Sequence, residues 1–231
     1  MSAETGVWAV LVAAGRGERF GGDRPKAFAK LGDRPLLAES LERLDRSEWV
    51  ESIVIVAPPE WEEPSILVAE EIAADKVRSA VTGGSTRAES VRAGLEDVPE
   101  EAAIVLVHDA ARPVLAEEVI ERVLTALNEG WDGAIPVLPL SDTVKRVESE
   151  RVVETVAREG LALAQTPQAF VAPVLRAALS DDEATDCSAL VEARGGRIKA
   201  VPGDPRLIKV TEPVDLQAVE RFLGDPAPSD A

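Results

Sequence analysis

Residues 10–28, VLVAAGRGERFGGDRPKAF, decide how the rest of this chain is read. Val10, Leu11 and Val12 continue an apolar run begun at Val7 and Trp8, and the run passes directly into Ala13, Ala14, Gly15 and Gly17. A buried strand ending in a loop of small residues lets backbone N–H groups approach a ligand closely. Arg16, Arg19, Arg24 and Lys26 then follow within eleven residues of a chain whose formal net charge is −17. Cations focused in one loop of an acidic protein point to a polyphosphate ligand.

Other glycine-rich loops fit less well. A P-loop requires Gly-Lys-Ser or Gly-Lys-Thr, and Gly22 is followed by Asp23. The dinucleotide fingerprint Gly-x-Gly-x-x-Gly is met by Gly15 and Gly17, but its third position is Phe20. A surface turn with solvated cations is the remaining alternative on this segment alone.

Composition narrows the classes. The 231 residues are 45% hydrophobic and 29% charged, as for a globular protein with a substantial core. One domain over residues 1–223 is expected, with 224–231, GDPAPSDA, as a flexible acidic tail. The single cysteine, Cys187, excludes an internal disulfide framework and suits a small buried residue. No segment reaches the length of a membrane span, and the N-terminus has no basic region followed by an apolar run, so a cytoplasmic location is expected. The acidity argues against nucleic acid as a partner.

Short β-branched runs at 7–12, 51–57, 77–81, 104–108 and 133–138 alternate with helical patterns at 36–44, within 61–74, and at 86–95 and 117–128. Several of the runs are continuously apolar, as when both faces of a sheet are covered. The fold class is therefore α/β, a three-layer, mainly parallel, Rossmann-like sheet. Thr86 and Glu89 have capping-box spacing and mark a helix start after Gly83 and Gly84. Segments 143–148 and 151–157 alternate as two strands of a hairpin arm, within about 139–160. Helices near 171–179 and 186–193, a strand at 197–201 and a helix at 213–223 complete the order.

In such sheets ligands sit beyond the carboxyl ends of the strands. The loop after Val81, TGGSTRAES, opens a helix whose free N–H groups favour an anion or an acceptor-rich ligand. The loop after Val107 is HDAARP, where Asp109 has the chemistry to hold Mg²⁺ or to cap the next turn. His108, the only histidine, suits a structural hydrogen-bonding role at a strand end. Thr166-Pro167-Gln168, Thr185-Asp186 and Ile208-Lys209-Val210-Thr211 are polar interruptions near other element ends.

VLVAAGRGERF…RPKAF, GGSTRAESV, LVHDAARP, SDTVK, TPQAF, TD and IKVT together resemble, in order, the 2-C-methyl-D-erythritol 4-phosphate cytidylyltransferases, over residues 7–223. That resemblance implies transfer of the CMP moiety of CTP to methylerythritol phosphate in the non-mevalonate route to isoprenoid precursors, with pyrophosphate released. It implies that Ala13, Ala14, Gly15 and Gly17 wrap the nucleotide, and that Arg19 and Lys26 bind phosphates and stabilise the transition state. It places Gly83, Ser85 and Ser90 at the cytosine and ribose, and Ala110 near Asp109, the metal and substrate residue. Thr143 and Arg158 on the arm would reach the methylerythritol phosphate of a neighbouring subunit in a homodimer, and Thr166, Thr185 and Lys209 would complete the substrate side. The chain departs from the usual pattern at Val12, Ser85 and Leu207, where many relatives carry Pro, an acidic residue and Asn. Some relatives are fused to the cyclodiphosphate synthase of the same pathway, for which 231 residues are expected to leave no room.

The chemistry suits these residue types. An anionic sugar-phosphate oxygen attacks the α-phosphorus of CTP, so the demand is for charge neutralisation and positioning rather than a base. A ribitol 5-phosphate cytidylyltransferase shares much of the motif set. A non-catalytic nucleotide-binding module has little need for Arg19, Lys26, Asp109 and Lys209 together.

Overall fold

The computed structural model describes residues 6–15, 17, 20, 24–179 and 186–224. The motif strand, β1 (Val7–Val12), lies at the centre of the main sheet. Two short strands, β2 (Lys30–Leu31) and β3 (Arg34–Pro35), lead into α1 (Leu36–Arg46). Then come β4 (Val50–Ala57), α2 (Glu62–Glu71), β5 (Val77–Thr82), α3 (Arg87–Glu96), β6 (Ile104–Asp109), α4 (Glu117–Asn128) and β7 (Gly133–Pro139). β8 (Val144–Glu148) and β9 (Arg151–Val156) precede β10 (Ala162–Ala164), β11 (Gln168–Val171) and α5 (Ala172–Ala178). The last elements are α6 (Cys187–Ala193), β12 (Ile198–Pro202) and α7 (Pro213–Gly224).

The sheet runs β10-β7-β11-β6-β1-β4-β5, with β12 paired to β7. β1 is parallel to both β4 and β6, and β4 is parallel to β5. Alternate residues of β1 enter different cores. Ala9 and Leu11 pack with Leu37, Leu41 and Ile120 from α1 and α4, while Trp8 and Val10 pack with Val91 and Leu95 of α3. The period-2 geometry of a strand, with both faces covered, is why this run is apolar at every position. α7 closes a third, smaller core through Val219, against Leu31, Leu36 and Val210.

Two strands correct the sequence reading. The segment at 171–179 begins with a strand residue: Val171 completes β11, which runs antiparallel between β6 and β7, and the helix starts at Ala172. β10 is likewise a strand, antiparallel to β7. The β8–β9 hairpin forms its own two-stranded sheet and exposes Val147, Val152 and Val153. No helix among the described residues is long and apolar enough to cross a membrane.

Candidate active site

The carboxyl ends of β1, β5 and β6 open on one cleft of about 240 Å³. Backbone bonds tie the loop after β6 to the end of β1, and the loop after β1 to β4. The Ala110 N–H donates to the Val12 carbonyl at 3.0 Å, and the Ala13 N–H to the Val56 carbonyl at 2.8 Å. A Cβ on Gly83 would lie 2.2 Å from that of Ala14, so only glycine lets the loop after β5 come this close to the loop after β1. Gly17 has φ of +63°, a left-handed turn beside Lys26.

Ala13, Ala14, Gly15 and Lys26 line one side of the cleft, and Ser85, Arg87 and Ser90 another. Asp109, Ala110 and Lys209 form its floor and rim. Gly83 stands beside the lining residue Gly84. Lys26 Nζ donates to the Val210 carbonyl at 2.9 Å, and the Val210 N–H donates to the Ala111 carbonyl at 2.8 Å. The segment carrying Lys209 is thus tied both to the motif loop and to the loop after β6. Leu207, in the same segment, is fully buried, and its carbonyl accepts from Arg112 at 2.9 Å and Gln165 at 3.2 Å.

The electrostatic centre is Asp109. Lys209 Nζ approaches its Oδ2 at 2.7 Å, while Arg87 Nη2 and Nε approach its Oδ1 at 3.1 and 3.2 Å. Burial alone would raise the Asp109 pKa, but Arg87 and then Lys209 outweigh it and hold the carboxyl well below its ordinary range. The reciprocal effect raises Arg87 against the burial that opposes its charge. Arg87 also donates to Cys187 Sγ at 3.2 Å, and burial pushes that thiol up to about 11. Cys187 is therefore a buried, protonated packing residue.

Arg87 has no place in the motif-by-motif assignment of roles, although a signal for it existed. It follows the capping threonine directly, and a cation in the first turn of a helix opposes the macrodipole unless an anion faces it. Asp109 is that anion.

Behind the floor, His108 is fully buried, and burial lowers its pKa to about 4. Its neutral ring contacts the Arg112 carbonyl through Nε2 and Thr166 Oγ1 through Nδ1, both at 3.1 Å. Thr166 Oγ1 in turn accepts the Asp109 N–H at 3.1 Å. With Nε2 donating to a carbonyl, Nδ1 must accept, so the Thr166 hydroxyl donates inward. Thr166 is 4% exposed and braces Asp109 from below.

Thr143 and Arg158 are exposed on the arm side and do not line the cleft. Arg158 donates to the Ser141 carbonyl. Arg19 and Thr185, like Arg16 and the tail after residue 224, lie outside the described residues. Among the described residues, no three acidic, histidine or cysteine side chains gather as a metal site. Asp109 is the one carboxylate among the described residues lining the cleft. A divalent ion there would rest on it, on nucleotide phosphates and on water, as is common for Mg²⁺, and would have to displace Lys209 or Arg87 from one of its oxygens.

Known proteins share this architecture throughout. The family model for 2-C-methyl-D-erythritol 4-phosphate cytidylyltransferase matches residues 7–225. The enzyme of that name from Frankia casuarinae is 44% identical, over 97% of this chain and 84% of its own length. Its counterpart in Streptomyces coelicolor is 42% identical, over 93% and 84% respectively. A solved 4-diphosphocytidyl-2C-methyl-D-erythritol synthase superimposes with a TM-score of 0.82 at 34% identity, covering 94% of this chain and 98% of the other. The Thermus thermophilus cytidylyltransferase does so with 0.77 at 33%, covering 93% and 97%. The chain belongs to the 2-C-methyl-D-erythritol 4-phosphate cytidylyltransferase family.

Proposed function

We propose that the chain transfers the CMP moiety of CTP to 2-C-methyl-D-erythritol 4-phosphate, giving 4-diphosphocytidyl-2-C-methyl-D-erythritol and pyrophosphate. The observation that carries this reading is the Arg87–Asp109–Lys209 bridge with Lys26 beside it, at the carboxyl ends of parallel strands. A phosphate oxygen of the sugar phosphate bonds to the α-phosphorus of CTP, and the bond to the β-phosphate oxygen breaks. The nucleophile is already anionic, so no group need remove a proton. Lys26 and Lys209 bring two polyanions together and neutralise charge that grows on the α-phosphoryl oxygens; Arg19 is assigned the same task. The small loop Ala13–Ala14–Gly15–Gly17 gives the triphosphate room against backbone N–H groups, and Gly83, Ser85, Ser90 and Ala110 form the nucleoside wall.

A Mg²⁺ ion held by Asp109 and the triphosphate would further polarise the reacting phosphoryl group. Arg87 and Lys209 hold Asp109 ionised, and one of them would yield its oxygen to the ion. Thr166 and Thr185 belong to the sugar-phosphate side, Thr166 acting through its hold on the Asp109 backbone.

The arm supports a homodimer in which Thr143 and Arg158 serve the neighbouring subunit. It exposes Val147, Val152 and Val153, and its base exposes Leu161 and Leu163, apolar side chains that no described residue of this chain covers. Residues 1–223 act as one nucleotidyltransferase domain, and a cytoplasmic setting suits soluble substrates. The decisive experiment measures pyrophosphate release with each nucleoside triphosphate against methylerythritol phosphate and ribitol 5-phosphate. Higher kcat/KM with ribitol 5-phosphate would remove the acceptor assignment and leave the cytidylyl transfer.

A further inference from the structure

Two hydroxyls, Ser85 and Ser90, stand on the proposed nucleoside wall, and both have their hydrogens committed to the protein. Ser90 Oγ donates to the Thr86 carbonyl one helical turn back, at 2.9 Å. Ser85 Oγ lies 2.6 Å from Glu89 Oε2. The same carboxylate oxygen receives the N–H groups of Ser85 at 2.6 Å and Thr86 at 3.2 Å. These donors, led by the Ser85 hydroxyl, hold the Glu89 carboxyl below its ordinary range. An ionised carboxylate can only accept, so the hydrogen between the two side chains belongs to Ser85. What Ser85 Oγ offers the cleft is therefore lone pairs alone.

We propose that Glu89 is a specificity-determining residue: by drawing off the Ser85 hydrogen it makes Ser85 an obligate acceptor for the exocyclic amine of a 4-aminopyrimidine and excludes a 4-oxopyrimidine. This rests on the reading above that the base lies against the wall formed by residues 83–90. A free serine hydroxyl rotates and serves as donor or acceptor, so it meets an amine or a carbonyl equally well. A hydroxyl whose hydrogen is held elsewhere accepts from the amine and sets lone pair against lone pair at a carbonyl. Ser85 is exposed, and the base stacked over it would shut out water; polar mismatch under such cover is what discriminates between near-identical ligands. The capping box of α3 needs only the Thr86 and Glu89 backbone N–H groups. The two bonds to Ser85 extend Glu89 one residue further, onto the lining of the cleft.

The test compares kcat/KM for CTP and UTP, with methylerythritol phosphate as acceptor, in the wild type and in Glu89→Ala, Glu89→Gln and Ser85→Ala. Glu89→Ala should lower the CTP:UTP ratio about 10- to 100-fold, mainly through faster use of UTP, as one polar mismatch is removed. Glu89→Gln, whose amide oxygen still accepts, should retain most of the preference. Loss of the cap alone slows both nucleotides equally, and an unchanged ratio in Glu89→Ala overturns the proposal. Ser85→Ala separates the inference from the reading beneath it. If Ser85→Ala lowers the ratio and Glu89→Ala does not, the base lies at Ser85 but Glu89 does not govern it. If neither moves the ratio, this wall does not read the base, and both fall.

Discussion

Lys209 Nζ and Asp109 Oδ2 are 2.7 Å apart across 100 positions of chain, and Arg87 holds the opposite oxygen of the same carboxylate. The three side chains differ in burial. Asp109 is 9% exposed, Arg87 18% and Lys209 43%. Removing the outer cation leaves the inner pair intact, whereas removing the carboxylate strands Arg87. We predict that Lys209→Met lowers kcat about 10²–10³-fold with little change in stability, the scale of one lost charge contact to the transition state. Asp109→Ala should lower activity and also destabilise the fold by about 3 kcal/mol, because a buried charge loses its partner. Urea unfolding and pyrophosphate release measure the two effects; equal stability losses in both variants would contradict this arrangement.

Lys26 occupies a different position in the electrostatics. Its ammonium bonds to the Val210 carbonyl at 2.9 Å and borders the cleft beside the small-residue loop. Lys26→Ala should cost about 10²–10³-fold in kcat while the melting profile stays close to wild type. Near-normal turnover would remove Lys26 from the reaction and leave it as the tie to the Val210 carbonyl.

Elements with local causes were legible in the sequence. The capping box at Thr86 and Glu89 marked the start of α3, and the continuous apolar runs marked β1, β4 and β6, because cap chemistry and two-faced burial are written in neighbouring residues. β11 was not legible. Gln168–Val171 is too short for a periodic signal, and it exists because β6 and β7 pair with it on either side. The loops bearing Asp109 and Lys209 were legible as candidates, since the first ends an apolar strand and the second is a polar interruption near an element end. Their union with Arg87 was not, because ion pairs spanning 22 and 100 positions depend on strand order.

The His108 ring gives a prediction for pH. Burial lowers its pKa to about 4, against an ordinary value near 6.5. Between those two values the unfolded chain takes up a proton that the folded chain refuses, so stability falls as pH drops through that window and is level above it. The contribution amounts to about 3 kcal/mol by pH 4. Unfolding free energies from pH 7.5 to 4.5 should decline more steeply in the wild type than in His108→Asn. Parallel curves would mean that His108 titrates normally in the folded protein.

The arm provides the remaining prediction. A two-stranded ribbon is marginally stable alone, and this one exposes Val147, Val152 and Val153. Two-fold pairing would cover those valines and bring Arg158 of one subunit to the cleft of the other, making each active site a composite with Lys26. Complementation tests this. Lys26→Ala and Arg158→Ala homodimers should each be nearly inactive. When an equal mixture is denatured and refolded, half of the dimers are mixed, and each mixed dimer has one doubly damaged site and one intact site. Activity should recover to about a quarter of wild type by that random pairing. If mass measurement confirms mixed dimers and activity does not return, Arg158 does not act across the interface.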